Sequence, residues 1–103
     1  LPEAEINSDP SWFGFPITLK KDSKFKRTDI VTELTKNKIG TRLLFAGNLT
    51  KQPAYLNKNF RIHGNLEVTD LIMNNTFWVG IQPAIGQEEL SFVAKVIKAF
   101  FKK

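Results

Sequence analysis

The last seventeen residues, Gln87–Lys103, limit the folds open to this chain more than any other stretch. Leu90, Val93, Val96, Ile97, Phe100 and Phe101 recur at helical spacing, so one face of a helix is apolar. Glu88 and Glu89 lie at its positive end, and Lys95, Lys98, Lys102 and Lys103 lie toward its negative end, the order a helix dipole favours. A one-sided apolar helix must cover something. Docking on a sheet is the expected solution, ahead of lying on an anionic membrane.

The sheet is sought in runs of period two. From Ser11 to Lys20, Phe13, Phe15, Ile17 and Leu19 alternate with Trp12, Gly14, Pro16 and Thr18, which predicts a strand. Pro16 cannot donate to a ladder, so this strand is an edge or carries a bulge. Thr76–Ile81, rich in β-branched and aromatic residues, predicts another strand. Thr41–Phe45 is read as a buried strand. A helix is expected over Arg27–Lys38, with Ile30, Val31 and Leu34 inward and Gly40 placed for a left-handed cap. A short helix is expected over Leu66–Asn75, with Thr69 a candidate cap if that helix starts later. Lys20–Lys24 and Gln82–Gly86 read as turns, Ala54–Asn59 as a helical turn or loop, and Phe60–Gly64 as a brief extended piece. The order β-α-β-(α)-β-α predicts an α+β two-layer sandwich over residues 11–103, entered through a polar linker at residues 1–10.

At 103 residues the chain is expected to form one domain. With no Cys, it has neither a disulfide nor a thiolate-bound metal of its own. The single His63 excludes a His-based metal cluster, and next to Gly64 with no patterned acid it reads as a surface residue. No serine sits in a nucleophile elbow, and no glycine-rich phosphate loop is present. The net charge of +5 draws on the terminal lysines and on Lys20, Lys21, Lys24, Lys26 and Arg27. Nucleic acid or an anionic ligand would suit that charge, but solvated helix ends and a turn account for it more simply. No apolar run reaches the length of a membrane span, and residues 1–10 lack the features of a signal peptide. The patterns Asn48-Leu49-Thr50 and Asn74-Asn75-Thr76 match glycosylation acceptors, but the pattern is short and common. The chain begins at Leu1 and its one methionine is Met73, so a processed chain or a piece of a longer one is expected.

The stretch Gly40–Pro53 carries the densest polar chemistry. A strand delivers Arg42, then breaks at Ala46-Gly47-Asn48 into a loop bearing Asn48, Thr50, Lys51 and Gln52. Such a loop can place polar contacts at the rim of a cleft, because the strand fixes its position. The same side chains can also be spent on the loop itself. Trp12, Phe13, Phe45, Phe77 and Trp78 could stack on a planar ligand, though most are expected in the core.

The strings SWFGFPITLK, NKIGTRLLFAGNLTKQPAY and IMNNTFWVGIQP, followed by a helix beginning near QEEL, resemble the C-terminal part of the CDP-4-keto-6-deoxyglucose 3-dehydratases. These belong to the large sugar-aminotransferase family built on the aspartate-aminotransferase fold. The resemblance covers Ser11 to about Phe101. It implies a small C-terminal domain that closes one side of a sugar-nucleotide cleft beside a large N-terminal domain, in a cytoplasmic homodimer. The implied chemistry is loss of the C3 hydroxyl from a CDP-linked 4-keto-6-deoxy sugar, on the way to the 3,6-dideoxy sugars of lipopolysaccharide. It implies pyridoxamine or pyridoxal phosphate, a His base and a [2Fe-2S] cluster in the absent region, and a separate NADH-dependent iron–sulfur flavoprotein reductase. By this resemblance the 103-residue chain is inactive alone, holds no catalytic, cofactor or metal residue, and lends Phe13, Arg42, Asn48, Thr50 and Gln52 to the substrate cleft. Phe13 stands where sugar aminotransferases often have His, and an apolar ring there would keep water from a reactive intermediate. Arg42 would meet the sugar's pyrophosphate or a structural acid. Many relatives carry Arg where this chain has Leu71. A cluster-free GDP-4-keto-6-deoxymannose 3-dehydratase, a sugar aminotransferase and a stand-alone basic nucleic-acid-binding domain are the alternatives.

Overall fold

The structure, a computed structural model, describes residues 2–103. Three strands form one antiparallel sheet: β1 (Gly14–Thr18), β2 (Thr41–Leu43) and β3 (Thr76–Gly80), in the order β1-β3-β2. The helices are α1 (Arg27–Lys36), α2 (Glu67–Asn75) and α3 (Gln87–Phe101), with one short 3₁₀ turn at Leu49–Lys51. The arrangement is the expected α+β layering. β1 lies at an edge, which accommodates Pro16 opposite Trp78.

Phe77 on the central strand is wholly buried, and it anchors a core with Leu19, Ile30, Leu34 and Phe100. Ile30 and Leu34, one helical turn apart, bring α1 onto this face. Phe100, Val96 and Ile97 bring the second half of α3 beside it. Phe25, between β1 and α1, packs its ring 4.9 Å from that of Phe100. Each fully buried Leu, Ile or Phe contributes about 1.5–3 kcal/mol. The first half of α3 is less covered: Leu90 is 52% exposed, and an apolar groove of about 570 Å³ runs between it, Val93, Phe15 and Val79.

Several expectations are corrected. The strand after Gly40 is three residues long and forms the other edge of the sheet, so Arg42 and Leu43 are exposed rather than buried. Helix α1 ends two residues early, and its left-handed residue is Lys38, φ 59°, not Gly40. Ile39 N–H donates to Leu34 O at 2.9 Å and Lys38 N–H to Thr35 O at 3.0 Å, which closes the helix end and turns Ile39 back onto the core. Leu66, not Thr69, takes the cap position of α2, and Thr69 lies inside that helix. Phe60–Gly64 forms no strand. Phe13 falls outside β1 and is 64% exposed, although its parity matched the inward residues.

Helix α2 runs into β3 with no intervening residue. Arg27, at the start of α1, stitches that junction by donating to the carbonyls of Met73 and Thr76. Part of the basic cluster read from the sequence is therefore a structural clamp. The Cα radius of gyration is 16.2 Å, against about 13 Å for a compact chain of this size. Residues 2–12 and the irregular stretch 53–66 lie outside the helices and strands, and both expose apolar side chains, Ile6, Leu56 and Ile62 among them.

Candidate functional site

The face of the sheet opposite α1 and α3 carries Gly14, Pro16, Arg42 and Trp78, as the strand register requires. Here lies a cavity of about 280 Å³ lined by Trp12, Phe13, Pro16, Leu44, Phe45 and Trp78. The Phe13 and Trp78 rings meet edge to face, centroids 5.2 Å apart. Gly14 makes room for this: a Cβ there would stand 2.5 Å from the Trp78 ring. The indole N–H of Trp78 donates to Leu43 O at 3.2 Å, which fixes the ring against β2. Phe45 also lines the cavity. It is 81% exposed and has φ 42°, in the left-handed region that a bulky side chain enters only at a cost of about 1–3 kcal/mol.

The loop after Phe45 is held from within. Asn48 is 2% exposed and every polar group of its side chain is used. Its Oδ1 accepts from Thr50 N–H at 3.1 Å and Thr50 Oγ1 at 2.7 Å. Its Nδ2 donates to Asp70 Oδ1 on α2 at 2.8 Å, and its backbone N–H points at Met73 Sδ at 3.2 Å. Lys51 Nζ donates to the other Asp70 oxygen at 2.8 Å. Gln52 Nε2 donates to Ala46 O, across the loop mouth. Gly47, φ 62°, lies so close over Met73 that no Cβ fits there. The Lys51 ammonium and the Asn48 amide hold the Asp70 carboxyl below the ordinary carboxylate range.

The sequence-derived candidates therefore divide. Phe13 lines the aromatic cavity, and Arg42 is exposed on the same face of the sheet, in register with Trp78. Among the described residues Arg42 has no ion-pair or side-chain hydrogen-bond partner, so its charge is available to a ligand. Asn48, Thr50 and Gln52 direct their hydrogen bonds into the loop that follows Phe45. His63 is exposed in the irregular stretch, and Leu71 is half-buried on α2 beside Asp70. Sequence reasoning missed Asp70 and Met73. Their only signal is a spacing of three on one helix face, which gains meaning once Asn48 is known to lie against it.

The residues of the aromatic cavity do not themselves fit a prosthetic group. The cavity lining has no acid, lysine or arginine with which to hold pyridoxal phosphate. The chain has no cysteine for an iron–sulfur cluster, and among the described residues no group of three or more His, Cys, Asp or Glu converges on one point. No helix among them is long and apolar enough to cross a membrane.

Comparison with known proteins supplies the class. The chain belongs to the DegT/DnrJ/EryC1/StrS aminotransferase family, whose profile matches residues 1–98. Over 101 residues it is 54% identical to the lipopolysaccharide biosynthesis protein RfbH of Salmonella typhimurium, covering 98% of this chain and 23% of that protein. It is 44% identical over its whole length to the dTDP-4-dehydro-2,6-dideoxy-D-glucose 3-dehydratase of Saccharopolyspora spinosa, of which it covers 22%. A solved GDP-4-keto-6-deoxymannose-3-dehydratase with a trapped PLP–glutamate geminal diamine superposes with a TM-score of 0.73 at 27% identity, over 82% of this chain and 22% of that one. The chain thus spans less than a quarter of the length of these relatives.

Proposed function

We propose that residues 11–103 are the small C-terminal domain of a longer, pyridoxamine-dependent sugar-nucleotide 3-dehydratase, joined through residues 1–10 to a large cofactor domain. The observation that carries this reading is the agreement of relatives that differ in nucleotide and in sugar. The dTDP-linked and GDP-linked enzymes are both 3-dehydratases, at 44% and 29% identity to this chain. Removal of the C3 hydroxyl is therefore the chemistry common to them.

Within that class we favour the CDP-4-keto-6-deoxyglucose enzyme of lipopolysaccharide synthesis. The 54% identity to a lipopolysaccharide biosynthesis protein and the match of the Gly40–Pro53 run support it. In this reading the large domain holds the phosphate cofactor, the His base and a [2Fe-2S] cluster, and a separate NADH-dependent reductase feeds the cluster in the cytoplasm. The full-length enzyme is a homodimer. This chain closes the cleft: Phe13 and Trp78 exclude water near the sugar, and Arg42 offers a cation to its pyrophosphate. Asn48, Thr50 and Gln52 act by holding the loop at the rim. A second reading, the cluster-free GDP-4-keto-6-deoxymannose 3-dehydratase, draws on the solved structure that superposes at 0.73.

The test is turnover by the full-length enzyme that contains this chain. CDP-4-keto-6-deoxyglucose and GDP-4-keto-6-deoxymannose are supplied in parallel, each with L-glutamate, with and without the reductase and NADH. Reductase-dependent loss of the C3 hydroxyl from the CDP sugar alone is expected. Reductase-independent turnover of the GDP sugar would establish the second reading.

A further inference from the structure

Phe45 and Trp78 both line the aromatic cavity, and they stand on different parts of the chain. Trp78 belongs to β3, while Phe45 begins the loop after β2. Two links join them. One is direct: Trp78 Nε1–H donates to Leu43 O at 3.2 Å. The other runs the long way, from Asn48 through Asp70 into α2, which continues without a break into β3. The first link also reaches the Phe45 backbone, whose N–H donates to the same Leu43 O at 2.9 Å, and the second holds it from the other side, because Asn48 lies three residues beyond it and is buried with its side-chain oxygen and nitrogen both hydrogen-bonded. A left-handed Phe with an exposed ring gains little from its own packing, so its conformation has to be imposed by neighbours.

We propose that Asp70 is a positioning residue for the substrate cleft, acting through Asn48 and Lys51 to hold the Phe45 wall at a fixed distance from Trp78. The proposal rests on the dehydratase reading for what enters the cleft, but the latch itself rests on geometry alone. One carboxylate oxygen takes the Asn48 amide and the other takes Lys51, so Asp70 gathers both ends of the 3₁₀ turn at Leu49–Lys51 onto α2. Met73, one turn further along α2, fills the space under Gly47 and completes the seat. Loss of the carboxylate leaves the buried Asn48 amide without an acceptor and frees the loop to move Phe45. The Trp78–Leu43 bond and the core on the other face of the sheet stay in place.

Asp70→Ala, Asp70→Asn and Lys51→Met in the full-length enzyme test this by two readouts. The first is amide hydrogen exchange of peptides covering residues 45–52, with β3 as the internal reference. The second is steady-state kinetics on the sugar nucleotide that the wild type turns over. Asp70→Ala is expected to speed exchange of the loop but not of β3, and to raise KM about tenfold with kcat changed far less. Asp70→Asn keeps an acceptor for Asn48 and should recover most of both effects, while Lys51→Met should be milder than Asp70→Ala. Unchanged loop exchange in Asp70→Ala overturns the latch. Faster exchange with KM unchanged overturns the positioning role and leaves Asp70 purely structural. If Asp70→Ala does not fold, Asp70→Asn and Lys51→Met decide the matter by the same two readouts. Absence of any sugar-nucleotide turnover by the wild type overturns the dehydratase reading and the role in substrate positioning with it, while the exchange data still decide the latch.

Discussion

The Asn48 side-chain amide reaches Asp70 at 2.8 Å across a sequence gap of 22 residues, and it ties the loop after β2 to the helix that leads into β3. Asn48 is buried, so its donor cannot turn to water when the acceptor is removed. Asp70→Ala should therefore lower stability, and Asp70→Asn should lower it less. Urea unfolding followed by tryptophan fluorescence measures both. Equal losses for the two variants would show that charge, rather than the hydrogen bond to Asn48, is what matters.

The same carboxylate sets the acid behaviour of the loop. Its folded-state pKa is lowered by the Lys51 ammonium and the Asn48 amide. A lowered value means that the contribution to stability is fully present above the unfolded pKa, about 3.9, and is lost as pH falls through the folded value. Loop protection, corrected for intrinsic exchange, should be flat from about pH 5 to 8 and fall only in stronger acid. A transition near neutral pH would assign the loop to some other group.

Phe45 should be replaceable with a gain in stability. Asn tolerates the left-handed region better than Phe, and the exposed ring contributes little packing. Phe45→Asn should raise stability by about 0.5–1 kcal/mol in urea unfolding while weakening sugar-nucleotide binding by the full-length enzyme. A destabilised variant would mean that the ring is held by contacts rather than imposed from the loop.

Gly47→Ala should show the opposite sign. Its φ of 62° and the Met73 side chain beneath it both reject a Cβ, so a loss above about 1 kcal/mol is expected. Adding Met73→Ala should ease the steric part of that loss but not the backbone part. Full recovery would place the whole cost in the contact with Met73.

The groove beside Leu90 gives a prediction about the separated domain. With Leu90 and Phe92 both about half exposed on α3, the 103-residue chain should self-associate at high concentration. Leu90→Lys should shift sedimentation toward monomer without lowering the unfolding midpoint. A wild-type chain that is monomeric throughout would argue that the groove is too shallow to bind.

How much of this was legible in the sequence depends on the range of each interaction. Ile30 and Leu34 on α1, and Phe15, Ile17 and Leu19 around β1, follow local periodicity, which is imposed by the backbone itself. β2 was misread because an edge strand and a buried one can share the same apolar letters, and only the strand order tells them apart. The helix end at Lys38 is missed because glycine at position 40 is the more obvious candidate, yet the turn that brings Ile39 onto Leu34 needs its left-handed residue two positions earlier. Phe13 and Arg42, singled out from the sequence, lie at the aromatic cavity and on the same face of the sheet, and their part in a substrate cleft belongs to the proposed function. Asp70 was not singled out, since its meaning comes from Asn48, 22 positions away, and no local pattern encodes such a pairing.

The most direct test of the central claim is the fate of the sugar carbon that reacts. The full-length enzyme containing this chain is incubated with a nucleotide-linked 4-keto-6-deoxy sugar, with reductase, NADH and L-glutamate as amino donor present, and the product is read by NMR. The account predicts loss of the hydroxyl at C3. A product that keeps the C3 hydroxyl and carries a new amino group at C4 would contradict it and make the parent an aminotransferase.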